Sequence, residues 1–148
     1  MDHCGDTIMH KHIFVNLGVR DLKRSMDFFG QVGFSFDPKF TNDQAACMVL
    51  GENMYAMLLT PDFMRNFTDK ALVDARECTE VLTCLSCESR EEVDGLVEKA
   101  LAVGGTSKRP PMECGTDMYG RSFEDLDGHI WELMYMSPAA VEKGAHGS

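Results

Sequence analysis

The chain has 148 residues, the usual size of one domain and long enough to bury a core that needs no disulfide or metal to hold it. Hydrophobic residues make up 44% and charged residues 26%, a globular balance that excludes disorder. The net charge of −10 argues against nucleic acid and anionic membrane surfaces as partners, and no apolar run approaches the ~20 residues of a membrane helix.

The N-terminus, Met1 to Lys11, is polar and lacks the apolar core of an export signal, so a cytoplasmic protein is expected. Disulfides are then not expected among Cys4, Cys47, Cys78, Cys84, Cys87 and Cys114, which read mostly as small core residues. Cys84-x-x-Cys87 resembles half a zinc site. It falls in a strand, however, where residues three apart point to opposite faces, and no second pair accompanies it.

His12 to Val19 is rich in β-branched and aromatic residues and reads as the first strand. Asp21 stands where a helix N-cap belongs, and Leu22, Met26 and Phe29 follow at helical spacing, with Phe28 and Val32 widening the stripe. Gly33 ends that helix. Phe34-Ser35-Phe36 starts a strand, and Pro38 and Asn42-Asp43 mark turns. Ala45 to Leu50 and Met54 to Thr60 form a hairpin around Gly51-Glu52-Asn53.

The same order then recurs. Val81 to Cys87 is a strand, and Ser89-Arg90-Glu91-Glu92 is a capping box. Val93, Leu96, Val97, Ala100 and Leu101 form the buried stripe of a helix closed by Gly104-Gly105. Arg109-Pro110-Pro111 breaks the following segment. Tyr119 to Glu124 and Ile130 to Met136 are strands joined by a tight turn at Asp125 to Gly128.

Laying Asp21 on Ser89 places Phe14 over Leu82 and Asn16 over Cys84. Laying Gly51 on Gly128 places Tyr55 over Glu132 and Pro61 over Pro138. Both halves read β-α-β-β-β. One α+β domain is therefore expected over residues 11–138, with modules at about 11–61 and 79–138 and a partly helical connector at 62–78. Residues 1–10 and 139–148 read as tails, the second frayed from Val141 onward.

The string from Val15 through Asp21 to Phe29, with Gly33-Phe34 after it, resembles the opening of vicinal-oxygen-chelate proteins, the glyoxalase/bleomycin-resistance/extradiol-dioxygenase superfamily. The string Phe123-Glu124-Asp125-Leu126-Asp127-Gly128-His129-Ile130-Trp131-Glu132-Leu133 resembles their closing hairpin. The subgroup it looks like is that of bacterial proteins described as lactoylglutathione lyase-like. The resemblance implies two tandem βαβββ modules whose sheets curl into an open cup, a small molecule or metal within it, and a homodimer.

In metal-dependent relatives each module gives one ligand from its first strand, often His, and one from its last, often Glu. The resemblance puts Phe14 and Leu82 at the first-strand positions and Tyr55 and Glu132 at the last-strand ones. Glu132 is thus the sole ligand-type residue retained, and a centre needs about three. No metal ligand set and no cofactor is expected. Divalent zinc, nickel or manganese remains the alternative, and His10 or His12 would serve it only through a shifted strand.

A buried Glu132 needs a partner. If Asp125 to Gly128 is a four-residue loop, Glu124 lies opposite His129 and Arg121 lies opposite Glu132 on one face. Arg121 would then supply the positive charge a metal supplies elsewhere, with Tyr55 and Tyr119 as hydrogen-bonding neighbours. A bulge in the turn would carry Arg121 to the other face. Alternation adds Asn16, Met57 and Cys84 to the ligand-facing positions, and sends Trp131 into the core.

The function this suggests is a glyoxalase-like protein with a degenerate metal site that binds a small anionic or oxygen-rich molecule, as drug-resistance members of the fold do. The alternative is a metal-dependent lactoylglutathione lyase acting on a glutathione hemithioacetal, with Glu132 as base and Arg121 holding the oxyanion. An extradiol dioxygenase would need two His and a carboxylate on iron, which this sequence does not assemble.

Overall fold

Two four-stranded sheets, each with one parallel and two antiparallel pairings, organise the computed structural model, which describes residues 7–144. Cys4 and the outer parts of both tails lie outside the described residues. The chain divides into two compact units. One comprises the chain up to Leu22 together with Phe34–Asp69, and the other Lys23–Gly33 together with the chain from Lys70 onward.

In the first unit the strand order is β1-β4-β3-β2. β1 (Ile13–Gly18) runs parallel to β4 (Met54–Leu59), β3 (Ala45–Gly51) runs antiparallel to β4, and β2 (Ser35–Phe36) closes the far edge. Period-2 alternation buries Leu17, Ala46, Met48, Ala56 and Leu58 on one side. A 3-10 turn at Pro38–Phe40 and α2 (Pro61–Met64) complete the unit, and the Thr60 hydroxyl accepts from the Phe63 N–H at 3.3 Å to cap α2. The connector is thus partly helical.

The second unit has the order β5-β8-β7-β6, with β5 (Leu82–Cys87) parallel to β8 (Ile130–Met136) and β7 (Met118–Glu124) between β8 and β6 (Met112–Cys114). β6 forms just past the Pro110-Pro111 break. Its helices are α1 (Leu22–Val32), α3 (Arg90–Ala102) and α4 (Pro138–Lys143). The compact units therefore do not coincide with the two sequence halves, because nearly all of α1 belongs with the second sheet. Phe28 and Phe29 on α1 explain why. Phe29 meets Trp131 edge-on at 5.3 Å and Phe28 lies 6.2 Å from Phe123, all four being buried. Val93, Val97 and Ala100 bring α3 into the same core, while Leu96 and Leu101 are half-buried. Trp131 is wholly buried, as its alternation with Glu132 requires.

Helix ends follow the local chemistry. Ser89 accepts from the Glu92 N–H at 3.0 Å, but the Glu92 carboxylate reaches the Glu88 N–H at 2.7 Å, one residue beyond the donor a capping box would satisfy. The second tail is not frayed at Val141. Ser137 caps α4 by accepting from Ala140 N–H at 3.1 Å, Pro138 starts it, and helix continues to Lys143. Thr60-Pro61 and Ser137-Pro138 thus open short helices after the last strand of each half, as the repeat implies.

Candidate functional site

β8 is the inner strand between β5 and β7, so its residues from Ile130 to Tyr135 have a partner on both sides. Glu132 pairs with Cys84 on β5 and Ser122 on β7. These three form one row on the sheet face turned away from α3. Leu82, Ile130 and Glu124 form the row on one side, and Ser86, Met134 and Gly120 the row on the other. Glu132 is half-buried, and among the described residues it has no ion-pair partner. Partial burial and the Glu132 carboxylate beside it push the Cys84 thiol up, so it rests as a thiol at neutral pH. Lys108, on the segment before β6, is taken up by Glu124 at 3.4 Å. The face thus offers one uncompensated carboxylate, a hydroxyl and a thiol.

Arg121 is not part of it. The hairpin closes as a five-residue connection, in which the Asp125 N–H donates to the His129 carbonyl at 3.0 Å, so Glu124 pairs with Ile130 and Arg121 with Leu133. A one-residue change of register sends every side chain of the strand to the other face. Arg121 therefore points at α3, where its guanidinium donates to Asp94 and Glu98 at 3.0 Å each. Tyr119 shares that face. Its hydroxyl donates to Asp94 at 2.5 Å, and the Arg90 guanidinium lies 4.3 Å above its ring while pairing with Glu113. Tyr119 and then Arg121 hold the Asp94 carboxyl below the usual carboxylate range, and Asp94 in turn raises the Tyr119 phenol. The expected Arg121–Glu132 pair and the placement of Tyr119 beside it are both overturned.

In the first unit Phe14 pairs with Tyr55, and Asn16 with Met57. Phe14 is exposed and stacks on Tyr55 at 4.9 Å, with His12 5.9 Å from the Tyr55 ring. The Tyr55 hydroxyl donates to the Glu52 carbonyl at 3.3 Å. With Asn16 laid on Cys84, the two sheet registers make Met57, not Tyr55, the counterpart of Glu132. The glycine alignment misses this because Gly51 is the last residue of β3, paired with Met54 across a two-residue turn, whereas Gly128 lies inside the longer turn before Ile130.

The residues present do not fit a divalent metal of the glyoxalase type. Phe14 and Leu82, the first-strand positions the resemblance implies, have no lone pair to give, and Met57, in register with Asn16, carries no carboxylate. Among the described residues no three His, Cys, Asp or Glu side chains are grouped closely enough to hold an ion. The CxxC pair is also apart: Cys84 is exposed and Cys87 buried, with burial foremost and Glu92 and Cys84 next in pushing the Cys87 thiol up to about 11.

Sequence reasoning missed the polar cluster that sets the register. Asp125 is buried and accepts from Asp127 N–H at 2.9 Å, His129 N–H at 3.0 Å and Trp131 Nε1–H at 3.0 Å. Buried Ser25 on α1 donates to Asp127 at 3.3 Å. Gly128 has a φ of 90°, and a Cβ there would lie 2.6 Å from the Arg76 backbone nitrogen, so a side chain is excluded on both counts. Two backbone N–H groups of the turn donating to the Asp125 carboxylate form an Asx-type turn, a signal that Asp-Leu-Asp-Gly carries openly.

The sequence profile of the Glyoxalase/Bleomycin resistance protein/Dioxygenase superfamily matches residues 3–133. A hypothetical protein from S. aureus shares 28% identity at a TM-score of 0.72, over 90% of this chain and 99% of that one. A glyoxalase-related enzyme from Fulvimarina pelagi shares 23% identity at a TM-score of 0.72, over 86% and 88%. The fosfomycin resistance protein FosX from Listeria monocytogenes shares 19% at 0.65, over 89% and 98%. No curated protein matches.

Proposed function

The chain belongs to the glyoxalase/bleomycin resistance/dioxygenase superfamily, and from that premise we propose that it binds a small polar molecule through Glu132 without the divalent metal of its enzymatic relatives. The observation that carries this is the half-buried Glu132 carboxylate with no ion-pair partner among the described residues, on an open sheet face beside Cys84 and Ser122. A desolvated carboxylate lowers its free energy by accepting hydrogen bonds or meeting a cation.

The ligand chemistry changes with the register. An anion would need a positive charge on this face, and Arg121 is held by Asp94 and Glu98 on the other side. The ligand is therefore a neutral hydrogen-bond donor or a cation, with Leu82, Ile130 and Met134 offering apolar contact around the acceptor. FosX is described as a fosfomycin resistance protein; here a phosphonate anion of that kind would meet Glu132 unfavourably. The metal-dependent lactoylglutathione lyase reading asks for ligands that Phe14 and Leu82 cannot supply. The working unit in this reading is a homodimer, supported by exposed Ile13 and Phe14 on edge strand β1 and Leu82 on edge strand β5.

The test is a thermal-shift panel of small molecules sorted by charge, run on the wild type and on Glu132→Gln. Cationic and neutral donor ligands should stabilise the wild type, and their affinity should fall about 10–100-fold in the variant, the worth of a charge-assisted hydrogen bond. Binding confined to anions, or unchanged by Glu132→Gln, would overturn the proposal.

A further inference from the structure

One end of the second sheet's open face carries Cys114, Met118 and Met136, three sulfurs that the proposed role of Glu132 does not use. Cys114 on β6 pairs with Met118 on β7, and Met118 pairs with Met136 on β8, so the three side chains form a single row across adjacent strands. The neighbouring row on the same face is Met112, Gly120 and Met134. The opposite face is identified independently: Glu113 pairs with Arg90 of α3 and Tyr119 with Asp94 of α3, so their alternating neighbours point away from that helix.

Gly120 makes room within this face. A Cβ at Gly120 would lie 3.0 Å from the Met134 Cε and 3.2 Å from its Sδ, so the Met134 thioether lies across the glycine, toward the strand that carries Met112. Directly opposed Cα atoms in an antiparallel pair stand about 4.5–5.5 Å apart. Successive rows on one face are about 7 Å apart, two residues of rise. Methionine, with three rotatable bonds, spans such gaps. The face remains open to solvent: Cys114 is exposed, and Met112 and Met136 keep 55% and 38% of their surface.

A thiolate with two thioethers is a soft donor set with neither imidazole nor carboxylate. It matches monovalent copper or silver rather than zinc, nickel or manganese. We infer that the β6–β7–β8 face binds one monovalent soft cation, Cu(I) or Ag(I), through Cys114, Met118 and Met136, with Met112 and Met134 flanking it. Binding releases the Cys114 thiol proton, giving a thiolate that compensates the ion's charge while the thioethers complete a trigonal sulfur site. The chain's net charge of −10 favours the approach of a cation.

The experiment is an anaerobic Cu(I) titration of the full chain, under a thiol-free reductant and against a chromophoric Cu(I) chelator, repeated with Ag(I). X-ray absorption on the one-equivalent complex counts the sulfurs. Loss of an outer-shell partner typically costs a metal site about 10–100-fold in affinity, so loss of direct ligands should cost at least about 10-fold. Cys114→Ser and the near-isosteric double variant Met118→Leu/Met136→Leu should each show that loss while circular dichroism stays unchanged. Cys84→Ser, on another row, should bind as the wild type does. Three sulfurs at one equivalent, with this pattern of variants, supports the site. An unchanged affinity in the double methionine variant, a loss in Cys84→Ser matching that in Cys114→Ser, or no competition with the chelator overturns it. Should either variant fail to fold, the single substitutions Met118→Leu and Met136→Leu are read in the same way.

Discussion

Replacing Asp125 with alanine should be the most damaging single truncation within the turn of the closing hairpin. The carboxylate accepts from Trp131 Nε1–H at 3.0 Å and from the Asp127 and His129 N–H groups at 2.9 and 3.0 Å. The Trp131 donor is wholly buried, so no water replaces the lost acceptor without entering the core. A buried donor left without a partner costs about 1–3 kcal/mol. Desolvation offsets part of the total, since burial raises the Asp125 carboxyl above its ordinary value. A net loss of about 3 kcal/mol follows from one fully orphaned donor and two that regain partial hydration. With a urea m-value of about 2 kcal/mol/M, the midpoint falls by about 1.5 M. Trp131 is the only tryptophan, so its fluorescence reports the very group that loses its partner. Asp125→Asn keeps the volume but turns an N–H donor toward other donors, and should fall between the two curves. A midpoint for Asp125→Ala that cannot be separated from the wild type would refute the view that this carboxylate holds the turn and hence the register.

Three further outcomes follow from the same geometry. Arg121→Ala should lower stability by about 1–2 kcal/mol, because half-exposed Asp94 and Glu98 lose a mostly buried guanidinium, and should leave binding at Glu132 untouched; a selective loss of ligand affinity would contradict the register. Tyr119→Phe should cost about 1 kcal/mol or less at neutral pH. The folded Asp94 carboxyl is depressed below its ordinary 3.8, so its contribution is complete above that value and disappears as pH falls through the folded value. The gap between wild type and Tyr119→Phe should therefore narrow in acid, and a constant gap would rule out Asp94 as the cause. Ser25→Ala should cost about 1 kcal/mol in urea unfolding through its buried hydrogen bond to Asp127, and no measurable loss would show that contact to be idle.

The strands and helices were legible because their periodicities are local: the Leu22–Phe29 stripe and the Ser89 cap need only neighbours in sequence. The membership of the superfamily was legible in the two end motifs. What escaped was register, which depends on how many residues a turn consumes. Asp125 accepts from the N–H groups of both Asp127 and His129, stretching the turn by one residue and moving Arg121 and Tyr119 to the α3 face. A two-residue offset, which keeps the face, replaced Met57 by Tyr55 as the counterpart of Glu132, because Gly51 ends β3 while Gly128 lies inside its turn. The grouping of α1 with the second unit depends on Phe28 and Phe29 meeting Phe123 and Trp131, long-range contacts that spacing does not reveal. No helix among the described residues is long and apolar enough to cross a membrane.

The most direct test of a metal-independent role is the metal content of never-chelated protein, paired with a hemithioacetal isomerisation assay with and without nickel, zinc and manganese. Substoichiometric amounts of these three metals and no metal-dependent turnover are expected, because Phe14 and Leu82 have no lone pair to give and no three His, Cys, Asp or Glu side chains are grouped among the described residues. One such metal per chain, with turnover lost on chelation and restored on its return, would contradict the account and make this chain a glyoxalase whose ligands lie elsewhere.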